Sequence, residues 1–193
     1  SRLMSKPKIQ VILGSIREGR NGIKVSDWFM NTVKGFDGAD IELVDLKDYP
    51  MPLFEDAIPP MMRGADKNAN PAVQRWLDKI SEADAYVFLT PEYNHSVPSA
   101  LKNAIDYGFI EWAEKPLGLV GYGAAGGGSR SIEHLRQIAA QLSMYDIYDH
   151  ITIVNVWAAF DEQGEITEHT SSQKENALKI VAKLASLSNK LRA

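Results

Sequence analysis

Five short apolar runs punctuate the chain: IQVIL at 9–13, IELVDL at 41–46, AYVFLT at 85–90, PLGLVGY at 116–122 and ITIVNV at 151–156. Most are near-continuous rather than alternating, the pattern of parallel strands covered on both faces. Between them the apolar positions recur at spacings of three and four. Val25, Trp28, Phe29, Val33 and Phe36 mark one helix, stopped by Gly35 and Gly38. Asn70 and Pro71 start a second, through Val73, Trp76, Leu77 and Ile80. Ser96 or Ser99 is the expected cap of a third carrying Leu101, Ala104 and Ile105, and Ser129 or Ser131 of a fourth carrying Ile132, Leu135, Ile138 and Leu142. A fifth helix runs from about Gln173 through Ala177, Val181, Leu184 and Leu191. This alternation predicts an α/β fold, a five-stranded parallel sheet with right-handed crossovers and helices on both faces.

Two stretches stand apart from the pattern. The 24 residues from Lys47 to Asn70 are long for a strand-to-helix connection and hold Pro50, Pro52, Pro59, Pro60, Met51, Met61 and Met62, which reads as a lid rather than a disordered segment. The last helix carries Lys174, Lys179, Lys183 and Lys190 on its outer side, read as a solvated face over a core face rather than a membrane contact.

Composition then removes whole classes of function. With 193 residues and 45% hydrophobic content, one domain over 1–193 with a substantial core is expected. A net charge of −4 and the absence of a long Lys/Arg cluster speak against a nucleic-acid partner. No apolar stretch approaches the roughly 18 residues of a membrane span, and no signal-peptide core is visible. A soluble, cytoplasmic protein is the expectation; the opening SRL ahead of Met4 reads as an addition. Zero cysteines exclude disulfides and thiolate chemistry, so redox chemistry would need a bound cofactor.

In an open parallel sheet, ligands sit beyond the carboxyl ends of the strands, where the strand order reverses. Three turns there are unusual: GSIREGRNG at 14–22, PEYNHS at 91–96 and GYGAAGGGS at 121–129. In a sheet of order 2-1-3-4-5 they fall around one crevice. The first offers Ser15, Arg17, Arg20 and Asn21 among three glycines just before a helix, a cradle for an anion. Gly14 and Gly19 match the glycines of a nucleotide-binding P-loop, but Arg20 and Asn21 stand where its lysine and hydroxyl belong. A cradle without magnesium suits a terminal phosphate that stays bound. Gly121, Gly123 and Gly126 spell GxGxxG, yet after the fourth strand, with no acid at 153–156 to hold a ribose. Close approach of backbone amides to a planar ring suits that turn better.

In the second turn Pro91 fixes direction, the amides of Glu92, Tyr93 and Asn94 can face the polar edge of a heterocycle, and Tyr93 supplies an aromatic surface. A flavin needs that combination. Together, GSIR at 14–17, PEYN at 91–94 followed by P-x-x-L-K-N-A-I-D at 98–106, and GYGAAGGG at 121–128 resemble the NADPH-dependent FMN reductase family, in the same order from about 8 to 155. The resemblance implies a flavodoxin-like fold and FMN, with NADPH or NADH as co-substrate.

It implies that Ser15, Arg17, Asn21, Gly22 and Ile23 hold the phosphate and ribityl chain, although relatives often place serine where Asn21 or Gly22 stands. By the same resemblance Pro91, Glu92, Tyr93 and Asn94, with Tyr122, Gly123 and Gly126, meet the flavin. It also implies a small-molecule acceptor (quinone, free flavin, azo dye or metal oxyanion), a ping-pong reaction, and a homodimer or homotetramer whose interface includes the 101–107 helix and the 47–70 loop.

No acid–base pair and no metal are required, because hydride passes from nicotinamide directly to flavin N5. His95 reads as a rim residue, and Lys102 with Asp106 as a surface pair. Flexible Met51, Met61 and Met62 with Phe54 read as the adaptable wall of an acceptor pocket. The rival is a flavodoxin-like electron carrier without pyridine-nucleotide turnover. Such carriers tend to be strongly acidic, whereas 21 basic residues here nearly balance 25 acidic ones. A third reading is a regulatory α/β domain without flavin. Residues 157–172 carry no functional signal.

Overall fold

The structure, a computed structural model, describes residues 5–193; the opening SRL lies outside them. Strands β1 (Lys8–Leu13), β2 (Asp40–Asp45), β3 (Ala85–Pro91), β4 (Pro116–Tyr122) and β5 (Tyr145–Ile153) form one parallel sheet in the order β2-β1-β3-β4-β5. The helices are α1 (Gly22–Val33), α2 (Pro60–Arg63), α3 (Pro71–Ser81), α4 (Ser99–Asp106), α5 (Ser129–Gln141) and α6 (Thr170–Arg192). The near-continuous apolar runs have the cause expected of them, a buried layer on each face. Val11 and Val87 join Val25 and Phe29 of α1 and Ile180 and Leu184 of α6. Ile12 and Phe88 join Trp76, Leu101 and Leu135 from the helices opposite. Within this second layer Trp112 packs edge-on to Tyr86 at 4.8 Å and to Phe88 at 5.8 Å.

The last strand differs from its expected bounds of 151–156. It starts at Tyr145, and because it lies at the sheet edge its burial is interrupted: Ile147, Ile151 and Ile153 are buried while Tyr145 and Tyr148 are exposed. A bulge hides the register further, since Leu117 pairs with Asp146 but Leu119 pairs with His150. Arg136 of α5 fills the bulge, donating to the carbonyls of Ile147 (2.7 Å) and Tyr148 (3.4 Å) and pairing with Asp146 at 2.8 Å. Asn70 caps α3 as expected, accepting from the amide of Ala72. The serines do not cap: α4 follows Pro98, α5 follows Gly128, Ser96 pairs with His134 and Ser131 with Thr90.

The 47–70 segment is docked against α4 rather than poised above an opening. Asn103 donates to the carbonyl of Pro52 and accepts from the amide of Phe54, and Tyr107 donates to the same Pro52 carbonyl at 2.8 Å. Farther along, Arg63 and Glu111 form an ion pair at 3.1 Å with both side chains more than nine-tenths buried. Lys102 and Asp106 form the expected pair at 3.0 Å, and Lys174 and Lys183 pair with Glu165 and Asp149 on the solvated side of α6. Among the described residues no helix is long and apolar enough to cross a membrane.

Candidate flavin site

The three unusual turns follow β1, β3 and β4, neighbours in the sheet, and so meet at its carboxyl edge. Gly14 donates to the carbonyl of Leu89, which ties the start of the first turn to β3 at 2.9 Å. Ser15 is buried, and its hydroxyl shares a 2.9 Å hydrogen bond with the Tyr93 phenol of the second turn. The first and second turns are therefore joined across the crevice. Arg20 is committed elsewhere: both of its terminal nitrogens reach Asp45 at the end of β2, and one also donates to the Ser15 carbonyl. The hydrogen bond to Asp45 raises the Arg20 pKa, while Asp45, whose burial opposes ionisation, is held below the ordinary carboxylate value by Arg20. Arg20 is thus a strut for the first turn and not an open phosphate ligand.

What remains open at the start of α1 is a set of donors. Arg17 is exposed and makes no side-chain hydrogen bond or ion pair with the described residues. The amides of residues 18–23 donate to no acceptor among them, and Asn21 precedes the helix without a side-chain cap bond. Unpaired amides and the helix dipole together favour an anion. Ile23, 42% exposed, stands at the rim with Ile16 at 48%.

The second turn is a two-residue hairpin. Tyr93 and Ser96 exchange both backbone hydrogen bonds, at 3.0 and 3.1 Å, around Asn94 (φ 52°) and His95 (φ 69°). Positive φ at both central residues is the type I′ pattern, normally filled by Asn and Gly. Asn tolerates it, while His95 carries strain that the hairpin closure holds in place. The amides of Asn94 and His95 donate to no acceptor among the described residues, and the Tyr93 ring is 36% exposed. Pro91, buried, ends β3 beneath them.

Glu92 takes a role the sequence did not show. Its carboxylate accepts from the Arg130 amide at 3.0 Å and from the Arg130 guanidinium at 2.7 Å, capping α5 where a serine was expected. Burial disfavours its charge, but the hydrogen bonds from Arg130 outweigh that and leave its pKa below the ordinary value. The side chain therefore clamps the second turn to the third, leaving only the Glu92 backbone for a ligand.

The third turn is fastened to the chain beyond β5: Gly123 donates to Ile153, Val156 to Gly123 and Asn155 to Ala124, all at 3.0–3.1 Å. Gly128 sits at φ 85°, and a Cβ there would collide with the Tyr122 amide and approach Gly121 Cα to 2.7 Å. Gly126 lies against the Arg130 guanidinium, so it shapes the clamp rather than an open face. Tyr122 requires a correction. Its ring is 3% exposed, packed in the α1–α6 layer, and cannot stack on a ligand at the crevice. Its hydroxyl is buried with no partner among the described residues, and burial pushes the phenol pKa far up.

Phe54 also leaves its expected place, packing edge-on to Tyr107 at 5.3 Å. The apolar wall beside the first turn is instead a groove of about 350 Å³ lined by Ile16, Tyr49, Pro50, Met51, Leu53 and Ser99. An uncommitted arginine and a row of open amides at one end, with a part-exposed phenol ring and hairpin amides at the other, fit a phosphate-bearing flat ring such as FMN.

Known proteins agree. The profile of the NADPH-dependent FMN reductase family matches residues 7–158. An NAD(P)H-dependent FMN reductase of Schizosaccharomyces pombe is 39% identical over 138 residues, 72% of this chain and 68% of its own length. An NAD(P)H:quinone oxidoreductase of Solanum tuberosum is 31% identical over 185 residues, 91% of this chain and 92% of its own. The solved flavoenzyme NAD(P)H:(acceptor) oxidoreductase of Paracoccus denitrificans shares the fold, with a TM-score of 0.72 at 22% identity over 92% of this chain and 98% of that one. Since residues 7–158 take in all five strands and all three turns, the chain belongs to the NADPH-dependent FMN reductase family.

Proposed function

We propose that this oxidoreductase takes electrons from NADPH or NADH onto bound FMN and hands them to a quinone or another flat acceptor (a free flavin or an azo dye) or to a metal oxyanion, in a ping-pong cycle. The observation that carries the reading is the row of uncommitted donors from Arg17 to Ile23 beside the part-exposed Tyr93 ring. When bound, FMN supplies the hydride and electron chemistry. The chain supplies the rest. Arg17 and the first amides of α1 hold the phosphate, which favours FMN over FAD because the anion ends the molecule there. The Ser15–Tyr93 bond and the Glu92–Arg130 clamp set the hairpin against the first turn, and the amides of Asn94 and His95 offer donors to the ring's polar edge. Ile16, Met51 and Leu53 give an apolar, adaptable border suited to flat acceptors of several sizes.

The purified protein is expected to be yellow and to be bleached by NADPH or NADH in stopped-flow absorbance, with re-oxidation by a quinone. Initial rates against both substrates should give parallel lines. Intersecting lines would overturn the ping-pong cycle, and a colourless protein that takes up no flavin would overturn the whole assignment.

Leu53 (77% exposed), Ile58 (62%), Met61 (59%) and Met62 (77%) line the outer side of the docked 47–70 segment. An apolar strip of this kind suits contact with a second copy, giving a homodimer or homotetramer. Light scattering is expected to give at least twice the 21.4 kDa chain mass. A monomer at micromolar concentration would remove this part of the reading.

A further inference from the structure

The Tyr122 hydroxyl is buried without a hydrogen-bond partner among the described residues, and it lies under the first residue of α1. That residue is Gly22. A Cβ placed on it would stand 2.5 Å from the Tyr122 oxygen, 3.3 Å from the ring carbon bearing it and 2.7 Å from a methyl of Leu13. The phenol oxygen therefore occupies the space that a side chain at residue 22 would fill, delivered from the end of β4 instead of from α1. Native proteins seldom leave a buried O–H without an acceptor, because the lost hydration is not recovered.

The charged groups nearest the phenol are Arg17, Arg20 and Asp45, of which Asp45 is already paired with Arg20, and the amides along 18–23 at the same helix start are open. A phenol is protonated, hence a donor, throughout the physiological range, and burial here raises its pKa further. A protonated O–H set among donors at a helix start is complementary to one kind of group, an anionic oxygen arriving from outside.

We infer that Tyr122 is a phosphate-binding residue, its hydroxyl, which fills the space beneath Gly22, donating its hydrogen to a phosphate oxygen at the start of α1. This rests on the FMN reading above. It gives the sequence pair Gly22 and Tyr122 a joint meaning: the helix gives up its own side chain so that a rigid donor fixed in the core can stand there. A phenol anchored by its buried ring loses less rotamer freedom on binding than a flexible surface side chain.

The test is titration of the full chain with FMN and with riboflavin, which lacks the phosphate, for wild type and Tyr122→Phe. The hydroxyl-to-anion bond predicts a roughly ten- to hundredfold weaker FMN affinity in the variant, with riboflavin affinity unchanged and the melting temperature of the flavin-free protein not lowered. Unchanged FMN affinity would place the hydroxyl on a buried water and overturn the inference. Equal losses for both flavins would reduce Tyr122 to a packing residue and overturn it too. A wild type that does not prefer FMN to riboflavin would instead defeat the underlying cofactor assignment, so the two failures are distinguishable.

A second variant guards the result. Gly22→Ser in the wild-type background meets the phenol oxygen and should weaken FMN binding. In the Tyr122→Phe background the serine side chain enters the vacated space, where a flexible Leu13 methyl must move and the ring carbon 3.3 Å away must give by a few tenths of an ångström, and should restore FMN preference. Equal losses from Gly22→Ser in both backgrounds would overturn the shared-position argument.

Discussion

Gly128→Ala is expected to cost at least about 3 kcal/mol of stability, of which roughly 1–2 kcal/mol is the left-handed backbone alone and the rest is overlap with the Tyr122 amide and Gly121. Overlap with backbone is hard to relieve, because Gly121 and Tyr122 end β4 between two paired strands. For a chain of this length the loss corresponds to a melting temperature lower by about 6–12 °C. The cost should extend to the cofactor. Gly128 is the residue before α5, and Glu92 caps α5 through Arg130, so a shift at residue 128 moves the clamp that holds the hairpin. Thermal unfolding with and without FMN measures both effects. Wild-type melting and wild-type flavin affinity together would show that the third turn tolerates displacement and does not set the geometry of the second.

Arg17→Ala is expected to weaken FMN binding by ten- to a hundredfold, the loss of a charge-assisted contact of about 1.5–3 kcal/mol, with no change in melting temperature of the flavin-free protein. Arg20→Ala is expected to behave in the opposite way although both residues lie in one turn. Arg20 is spent on Asp45 and on the Ser15 carbonyl, so its removal leaves the part-buried Asp45 with no guanidinium and only the Lys47 amide hydrogen-bonded to it, and loosens the turn itself. A cost of about 2 kcal/mol, below that of breaking a fully buried pair, lowers the melting temperature by about 4–8 °C. Riboflavin separates the two mechanisms: Arg17→Ala should leave its affinity intact, and Arg20→Ala should weaken both flavins. Equal loss of riboflavin and FMN in Arg17→Ala would remove Arg17 from the phosphate site.

The strand order and the positions of the three turns were legible because burial on both faces writes continuous apolar runs, and glycine and proline mark where those runs stop. Side-chain roles at the site were less so. Tyr122 follows a Gly-rich pattern that suggests an open ring, yet alternation along β4 points it into the α1–α6 layer. Glu92 looked like part of a ligand edge, and its bond to Arg130 joins residues 38 positions apart, which spacing cannot reveal. The Arg20–Asp45 strut had one available signal, an acid closing the second strand beside an arginine-rich turn in the neighbouring register. Ser99, Ser129 and Ser131 have the composition of caps, but Pro98 and the left-handed Gly128 fix those helix starts through the backbone instead. The 47–70 segment is irregular in sequence, and Asn103 and Tyr107 supply from outside hydrogen bonds to the Pro52 carbonyl and the Phe54 amide that regular structure would otherwise supply from within.

The bulge in β5 bears on how this sheet is kept from growing. A flat outer strand would offer its free amides and carbonyls to any other extended chain, the usual route to strand-by-strand aggregation. Here two of those carbonyls, at Ile147 and Tyr148, are turned inward to Arg136, and Asp146, Asp149 and His150 charge or crowd the remainder. The opposite edge, β2, carries Asp40, Glu42 and Asp45 along six residues. Both margins therefore disfavour strand-by-strand extension, which leaves the helical faces and the docked proline-rich segment as the surfaces open to contact.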